Sequence, residues 1–565
     1  MKRTPCILRS RSFPLSFPHL AHPNARWKTA QRFLGQGDPR PHAPGLFAAG
    51  RIVGWYSRSR RGWLGLTRLK GWVLFLIGVA GLCGCAVGPD YAPVHTAADE
   101  AKRYHNAPQG QKADPERVGQ HMAQWWRHLR DPLMDRYVAE LRRDNLDLKQ
   151  AASRLKQAWE QRAVDIGGLF PSVSAAASAN RDFRPTEEFG NLFGGGPSAG
   201  GGGGTQRVFD TSIETNLQFS WQLDVFGRLR NRAAASRARA KAARSEGEAL
   251  LHTLVAELAR HRIAISALKK QIALTRKIVR SRKRTLEVVR LRYERGTSEV
   301  SADDVHLARE SLFSAKADIP DLRQQLKSRA YAVDILLGNQ PGTTDPLDSV
   351  MPLERAPGEV PVGLPAGLLD RRPDLRSAEL RIMAEYKDVG VAVADLFPDL
   401  TLSGRLGFEH ETTNDLLTSE RMVGNILSEI MLPLFQGGRL RGRVRLEKAQ
   451  VREASLEYAQ KVLEAMREVE ESLSREHQLA DRIADVKAGA AAARRAEERA
   501  MSRYRRGLTP LLQVLEAQRR HYAAELRLIR AHQARWNARV DLYLALGGDW
   551  TAGTGQDDKN SDDSA

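Results

Sequence analysis

The stretch that most limits what this chain can fold into is TSIETNLQFSWQLDVFGRLR, residues 211–230. Ile213, Thr215, Leu217, Phe219, Trp221 and Leu223 alternate with Glu214, Asn216, Gln218, Ser220, Gln222 and Asp224. A strand here has one apolar and one polar face, because successive side chains point to opposite sides. It is long enough to cross a bilayer's hydrocarbon core, which takes a tilted strand roughly 9–11 residues. Past Phe226-Gly227 the pattern changes to a long Ala/Arg-rich helical run. The same junction recurs at residues 426–450, where Gly438-Arg439-Leu440-Arg441 repeats Gly227-Arg228-Leu229-Arg230.

The recurrence extends well beyond that motif. Asp147-Leu148 and Phe170-Pro171 reappear as Asp374-Leu375 and Phe397-Pro398 at an offset of 227, and Arg292-Tyr293-Glu294-Arg295-Gly296 reappears as Arg503-Tyr504-Arg505-Arg506-Gly507 at an offset of 211. A Gly-rich insertion at 191–204, NLFGGGPSAGGGGG, accounts for most of the difference, and a surface hairpin loop tolerates such an insertion best. Two repeats follow, residues 131–338 and 368–550, each reading helix, strand, loop, strand, long helix, tight turn, helix. A Pro-rich linker at 339–367 joins them, and an acidic tail at 551–565 carries no core-forming pattern.

The N-terminus has a different character. Of the formal charge of +20, residues 1–84 hold 14 Lys and Arg against Asp38 alone, leaving +7 for the remainder. That small excess, interleaved with acids, reads as solvated helix surface and not as a nucleic-acid footprint. Residues 1–50 have no periodicity and form an unstructured extension or precede the true start. Residues 51–84 combine a basic segment with a short apolar run ending in Leu82-Cys83-Gly84-Cys85, the form of a secretory signal with a lipobox. Cys85 is the expected lipidation site, with Ala86 after it favouring the outer membrane. Residues 85–130 form an irregular lipidated segment whose largest apolar feature is Trp125-Trp126. Asp131-Pro132 opens a helix running to about Gly167, and residues 172–180 form a weak strand.

The helix over 231–294 measures about 96 Å at ~1.5 Å per residue. Leu251, Leu258, Ile265, Ile272, Val279, Leu286 and Tyr293 recur every seven residues, a coiled-coil seam. In the second strand pair, Leu400, Leu402, Leu406 and Phe408 oppose polar neighbours, and over 425–434 Ile426, Ile430, Leu432 and Leu434 do the same. Four amphipathic strands cannot close a barrel alone, since single-chain barrels begin at about eight. Open sheet edges are not tolerated in lipid, so copies must pool their strands.

The ordered motifs resemble the TolC-like outer-membrane factors of tripartite efflux systems, specifically the OprM/NodT-type lipoproteins. They are CAVGPDY at 85–91, Trp125-Trp126 with Asp131-Pro132, WQLDVFGRLR at 221–230, LLDRRPDL at 368–375, Phe397-Pro398, LPLF at 432–435 with GGRL at 437–440, and REVE at 467–470. The resemblance implies an α+β membrane protein in which a long α-helical coiled-coil periplasmic tube joins a transmembrane β-barrel. Homotrimerisation would close both, with four strands from each protomer. It implies a periplasmic adaptor and an RND-type inner-membrane efflux pump as partners, outer-membrane lipid around the barrel, no cofactor and no chemistry in the channel itself.

The resemblance also implies roles for particular residues. The adaptor-contacting tips are Arg295, Gly296 and Thr297 in the first hairpin and Arg506, Gly507 and Leu508 in the second. Leu512, Glu516 and Arg519 fall at the positions of an apolar constriction, an acidic gate ring and its basic partner. They share one helical face, although a Glu–Arg pair three apart is by itself an ordinary surface pair worth a few tenths of a kcal/mol. At the first tip an apparent extra residue leaves Asp303 and Asp304 as alternatives for the acidic position. Leu217, Phe219, Trp221 and Leu223 would face lipid.

Other chemistries find little support. The 14 His show no paired ligand spacing, the body has no Cys, and the Gly-rich loop lacks the Lys-Ser/Thr of a phosphate loop. Two alternatives remain open. One is a duct for type I protein secretion, and the other is a soluble coiled-coil or nucleic-acid-binding protein, which leaves the strands without a role.

Overall fold

The computed structural model describes residues 86–108, 115–185, 207–296, 300–343, 351–410 and 422–548. Cys85, Thr297, the Gly-rich loop and the acidic tail lie outside the described residues. Two helices dominate the rest. They are α5 (Arg228–Glu294) and α9 (Arg439–Arg505), each of 67 residues, and each follows a left-handed glycine, Gly227 at φ 79° and Gly438 at φ 85°. Glycine reaches that region without the Cβ clash other residues meet, which is how a strand can turn directly into a helix. At the first junction Asp224 accepts from the Leu229 and Arg230 amides at 3.0 and 2.8 Å, satisfying the helix's orphan donors.

Each long helix is followed by a return helix of 35 residues, α6 (Ala302–Leu336) and α10 (Leu511–Ala545). Each strand pair is preceded by a helix of 22 residues, α4 (Leu146–Gly167) and α8 (Pro373–Ala394), the latter entered through the short α7 (Gly367–Arg371). Toward the strands α5 packs between α4 and α8, with α9 beyond; toward the tips it packs between α6 and α10, again with α9 beyond. The helix expected from Asp131 to Gly167 is instead two, α3 (Met134–Asp144) and α4, broken at Asn145. Asn145 accepts from the Leu148 amide at 3.0 Å and caps α4. Asp131 does act at the entry to α3, where its Oδ1 accepts from the Leu133 amide at 3.1 Å, and its carboxylate is also buried against Arg262 of α5, 2.7 Å away.

The sheet runs β1-β2-β3-β4, all antiparallel, from β1 (Ser172–Pro185), β2 (Arg207–Leu223), β3 (Asp399–His410) and β4 (Met422–Met431). Register decides its character. Leu217 pairs with Ala175 and Leu406, Phe219 with Val173 and Gly404, Trp221 with Leu402, and Leu400 with Ile430. Directly paired residues share a face, so the apolar positions form one continuous surface across all four strands. The opposite face carries Glu214 and Arg405, 2.8 Å apart. On the apolar face Gly404 leaves room for Phe219, because a Cβ there would sit 2.9 Å from that ring. The last strand ends at Met431 and not near Leu434, since Pro433 has no amide to donate. Among the described residues no helix is long and apolar enough to cross a membrane.

The core lies midway along the helices. There residues 262–268 of α5 are buried all round. The seven-residue seam holds here, with Leu258, Ile265 and Ile272 buried, and fades toward the tip, where Tyr293 is exposed. The enclosure comes from two segments that the sequence presents as irregular. In the first, Trp125 stacks on Tyr543 at 5.2 Å, and the Tyr91 hydroxyl donates to Glu379 at 2.8 Å. This segment includes α1 (Ala97–Glu100) and α2 (Pro115–Met122). In the second, Met351, Leu353, Val360 and Val362 of the Pro-rich linker are buried, and Trp536 donates to the Leu353 carbonyl at 3.1 Å.

Candidate functional site

The two hairpin tips end in the same way. At the second, the Gly507 amide donates to the Tyr504 carbonyl and the Leu508 amide to the Arg503 carbonyl, both at 3.0 Å, with Gly507 at φ 74°. This is a Schellman cap, which needs a left-handed residue. At the first, Gly296 sits at φ 66° and donates to the Tyr293 carbonyl at 3.0 Å. The chain from Glu294 to Ala302 is two residues longer than that from Arg505 to Leu511, so the first tip carries two extra residues, not one. Val300, Ala308, Val289, Tyr504, Leu511 and Val514 share one small core, and Arg292 donates to the Tyr504 carbonyl at 2.8 Å with its guanidinium 5.0 Å from that ring. The two tips are therefore packed together within one chain.

Leu512, Glu516 and Arg519 lie on one outward face of α10. Leu512 is 67% exposed, and Leu508, in the turn before the helix, is 58% exposed. Arg519 grips Glu516 from two nitrogens at 2.8 and 2.9 Å, and Arg520 adds a third bond at 2.7 Å. The Arg519 and then the Arg520 hydrogen bonds pull the Glu516 carboxyl down to about 2. Arg520 was missed in the sequence, although its place four residues after Glu516 was a readable signal. At the first tip, Asp304 is engaged as a helix cap, accepting from the Ser301 amide at 3.0 Å. Asp303 stays exposed.

On the sheet, Leu217 is 53% exposed on the apolar face, whereas Phe219, Trp221 and Leu223 are half-buried. The Trp221 indole donates to the Leu169 carbonyl at 2.9 Å, which places it where the sheet meets the helices. Below it Phe226 stacks on Phe397 at 4.8 Å. No group of His, Cys, Asp or Glu that could hold a metal occurs among the described residues.

The family profile described as outer membrane efflux protein matches the chain twice, over residues 138–339 and 364–548. The probable efflux pump outer membrane protein SepC of Pseudomonas putida is 27% identical over 474 residues, covering 83% of this chain and 95% of that protein. The pyoverdine export outer membrane protein OpmQ of Pseudomonas putida is 30% identical over 436 residues, covering 76% and 88%. Among solved structures, the outer-membrane channel OprN superposes with a TM-score of 0.72 at 29% identity, covering 82% of this chain and 100% of that one. With its apolar-faced sheet and long paired helices, the chain belongs to the outer membrane efflux protein family and is an outer-membrane efflux channel.

Proposed function

We propose that three copies of this chain assemble into one duct that carries small toxic compounds out of the cell, working with a periplasmic adaptor and an RND-type inner-membrane pump. The observation that carries this reading is the four-stranded sheet with one continuous apolar face and, among the described residues, two unpaired edges, β1 and β4. Such edges are costly in lipid, and three sheets joined edge to edge remove them in a twelve-stranded barrel. The equal lengths of the paired helices and the double family match support two structural repeats per chain, which would line a tube of twelve helices.

Anchoring by acyl chains on Cys85 fits the position of its neighbours. The Val87 amide donates to the Phe226 carbonyl at 3.1 Å, at the strand-to-helix junction, where a membrane surface would lie. Leu512, Glu516 and Arg519, joined by Arg520, form the gate in this reading, and Arg295, Gly296, Thr297, Arg506, Gly507 and Leu508 meet the adaptor. Intact mass of the membrane-extracted protein in detergent tests the assembly. The expected value is three chains, each lacking residues 1–84 and carrying diacylglycerol and acyl mass. A conducting monomer, or a chain retaining Gly84, overturns it.

A further inference from the structure

Within one chain, α10 covers a face of α5. Gln518 donates to Thr285 at 3.1 Å, Tyr522 is buried with Ile278, and Arg260 meets Asp541 at 2.7 Å. The covered positions on α5 recur every three to four residues, and Ala267, Gln271, Ile278 and Thr285 among them are buried. The corresponding positions of α9, 211 residues later, are Gln478, Arg482, Gly489 and Ala496, and all four are exposed. The covering face of α10 has its own counterpart on α6, 209 residues earlier. Gln518, Tyr522 and His532 become Arg309, Phe313 and Arg323, again all exposed.

One contact is thus made inside the chain, and its two halves are left bare on helices that flank opposite sides of the α5–α10 pair. Phe313 is 57% exposed, with the Lys316 ammonium of its own helix 5.0 Å from the ring, whereas its counterpart Tyr522 sits in a core. The α9 positions that correspond to its seat, Gly489 and Ala492, are small enough to receive it. Charge agrees as well. His532 feels the field of Lys270, whereas the counterparts Arg323 and Asp481 are of opposite sign, and Lys316 follows Phe313 by one turn as Asp485 precedes Gly489 by one.

We propose that a second copy of this chain seats its Phe313 on Gly489 and Ala492 of the first, with Arg323 against Asp481, repeating between copies the contact that α10 makes with α5 within one. The contact is heterologous, because each copy offers its α6 face on one side and its α9 face on the other, and such contacts close into rings when the rotation allows. The inference rests on the trimer and repeat reading above and assigns the residues of its periplasmic seam.

The test uses the full-length protein in detergent, which has no cysteine after Cys85. The variant F313C/A492C, treated with a short bismaleimide, is expected to give covalent dimers and trimers on a denaturing gel, while F313C and A492C alone give neither. D481R is expected to lower the trimer fraction, and D481R/R323D to restore it. Cross-linking by a single cysteine variant would mean a two-fold contact and overturn the proposal. A native trimer that fails to cross-link in F313C/A492C, or is not rescued by R323D, overturns this seam and leaves the trimer standing. A monomeric wild type overturns the trimer reading and the seam with it.

Discussion

Arg372 reaches from the start of α8 to the end of α10, where its Nη1 donates to the Ala545 carbonyl at 3.2 Å. The same guanidinium holds Asp374 at 2.8 and 3.1 Å and Glu468 at 2.7 Å. Its counterpart at the other joint is Asn145, which caps α4 and donates to the Leu336 carbonyl at the end of α6, at 2.8 Å. Both residues satisfy a helix-end carbonyl that has no partner in its own helix. Each thereby couples the start of one helix to the end of another, so that the helix next to the strands continues the one next to the tips.

Replacing Arg372 with Met should therefore destabilise the protein by about 1.5–3 kcal/mol, the range for hydrogen bonds to charged groups. Burial pushes the Asp374 carboxyl up, the Arg372 hydrogen bonds outweigh it, and the net direction is down. Asn145→Ala should cost about 1 kcal/mol as a lost N-cap. Unfolding in denaturant measures both; equal losses would mean that the charge at Arg372 contributes nothing beyond its geometry.

At the tip, Leu512→Ser and Glu516→Ala should each raise single-channel conductance in planar bilayers. Arg519→Ala alone should do less, because Arg520 still holds Glu516 at 2.7 Å. The double variant R519A/R520A should match Glu516→Ala. Wild-type conductance in the Leu512→Ser, Glu516→Ala double variant would place the closure elsewhere, at the first tip beside Asp303.

A charge on the apolar sheet face tests which surface meets lipid. Leu217→Arg and Phe219→Arg should each cost about 2–4 kcal/mol if they lie near the bilayer midplane and should abolish insertion into vesicles. Trp221→Arg should be milder, since its indole bonds the Leu169 carbonyl at the base of the sheet. Arg at Ser220, on the other face, should be tolerated. Equal tolerance at Leu217 and Ser220 would remove the lipid-facing assignment.

Stability should fall on acidification through the middle of the molecule. Burial pushes the His252 imidazole down to about 3, with a smaller opposing pull from Asp374. An unfolded histidine titrates near 6.5, so below that pH the unfolded chain binds a proton that the folded chain excludes. The stabilisation is complete above about 6.5 and is lost as pH falls toward 3. The melting temperature should drop between pH 7 and 4, and His252→Gln should flatten that slope. An unchanged slope would show that other groups set it.

The sequence alone determined the elements that depend on periodicity. Alternation marked β2 and β3, seven-residue spacing marked the middle of α5, and the paired Gly-Arg-Leu-Arg motifs marked the starts of both long helices. These signals are local, because side-chain direction follows from backbone period within a few residues. The ordered motifs likewise pointed to the efflux family before any coordinates. Tertiary structure decided what depends on distant partners. The segment around Trp125 and the linker at Met351 look irregular in sequence because neither has a period, yet both are buried, held by Tyr543 and Trp536 from the far end of the chain. Asp131 was legible as an acceptor at a helix entry, which it is, but only the fold shows that Arg262, 131 residues away, also binds its carboxylate. Periodicity records which face a residue takes, whereas only the folded chain fixes what that face touches.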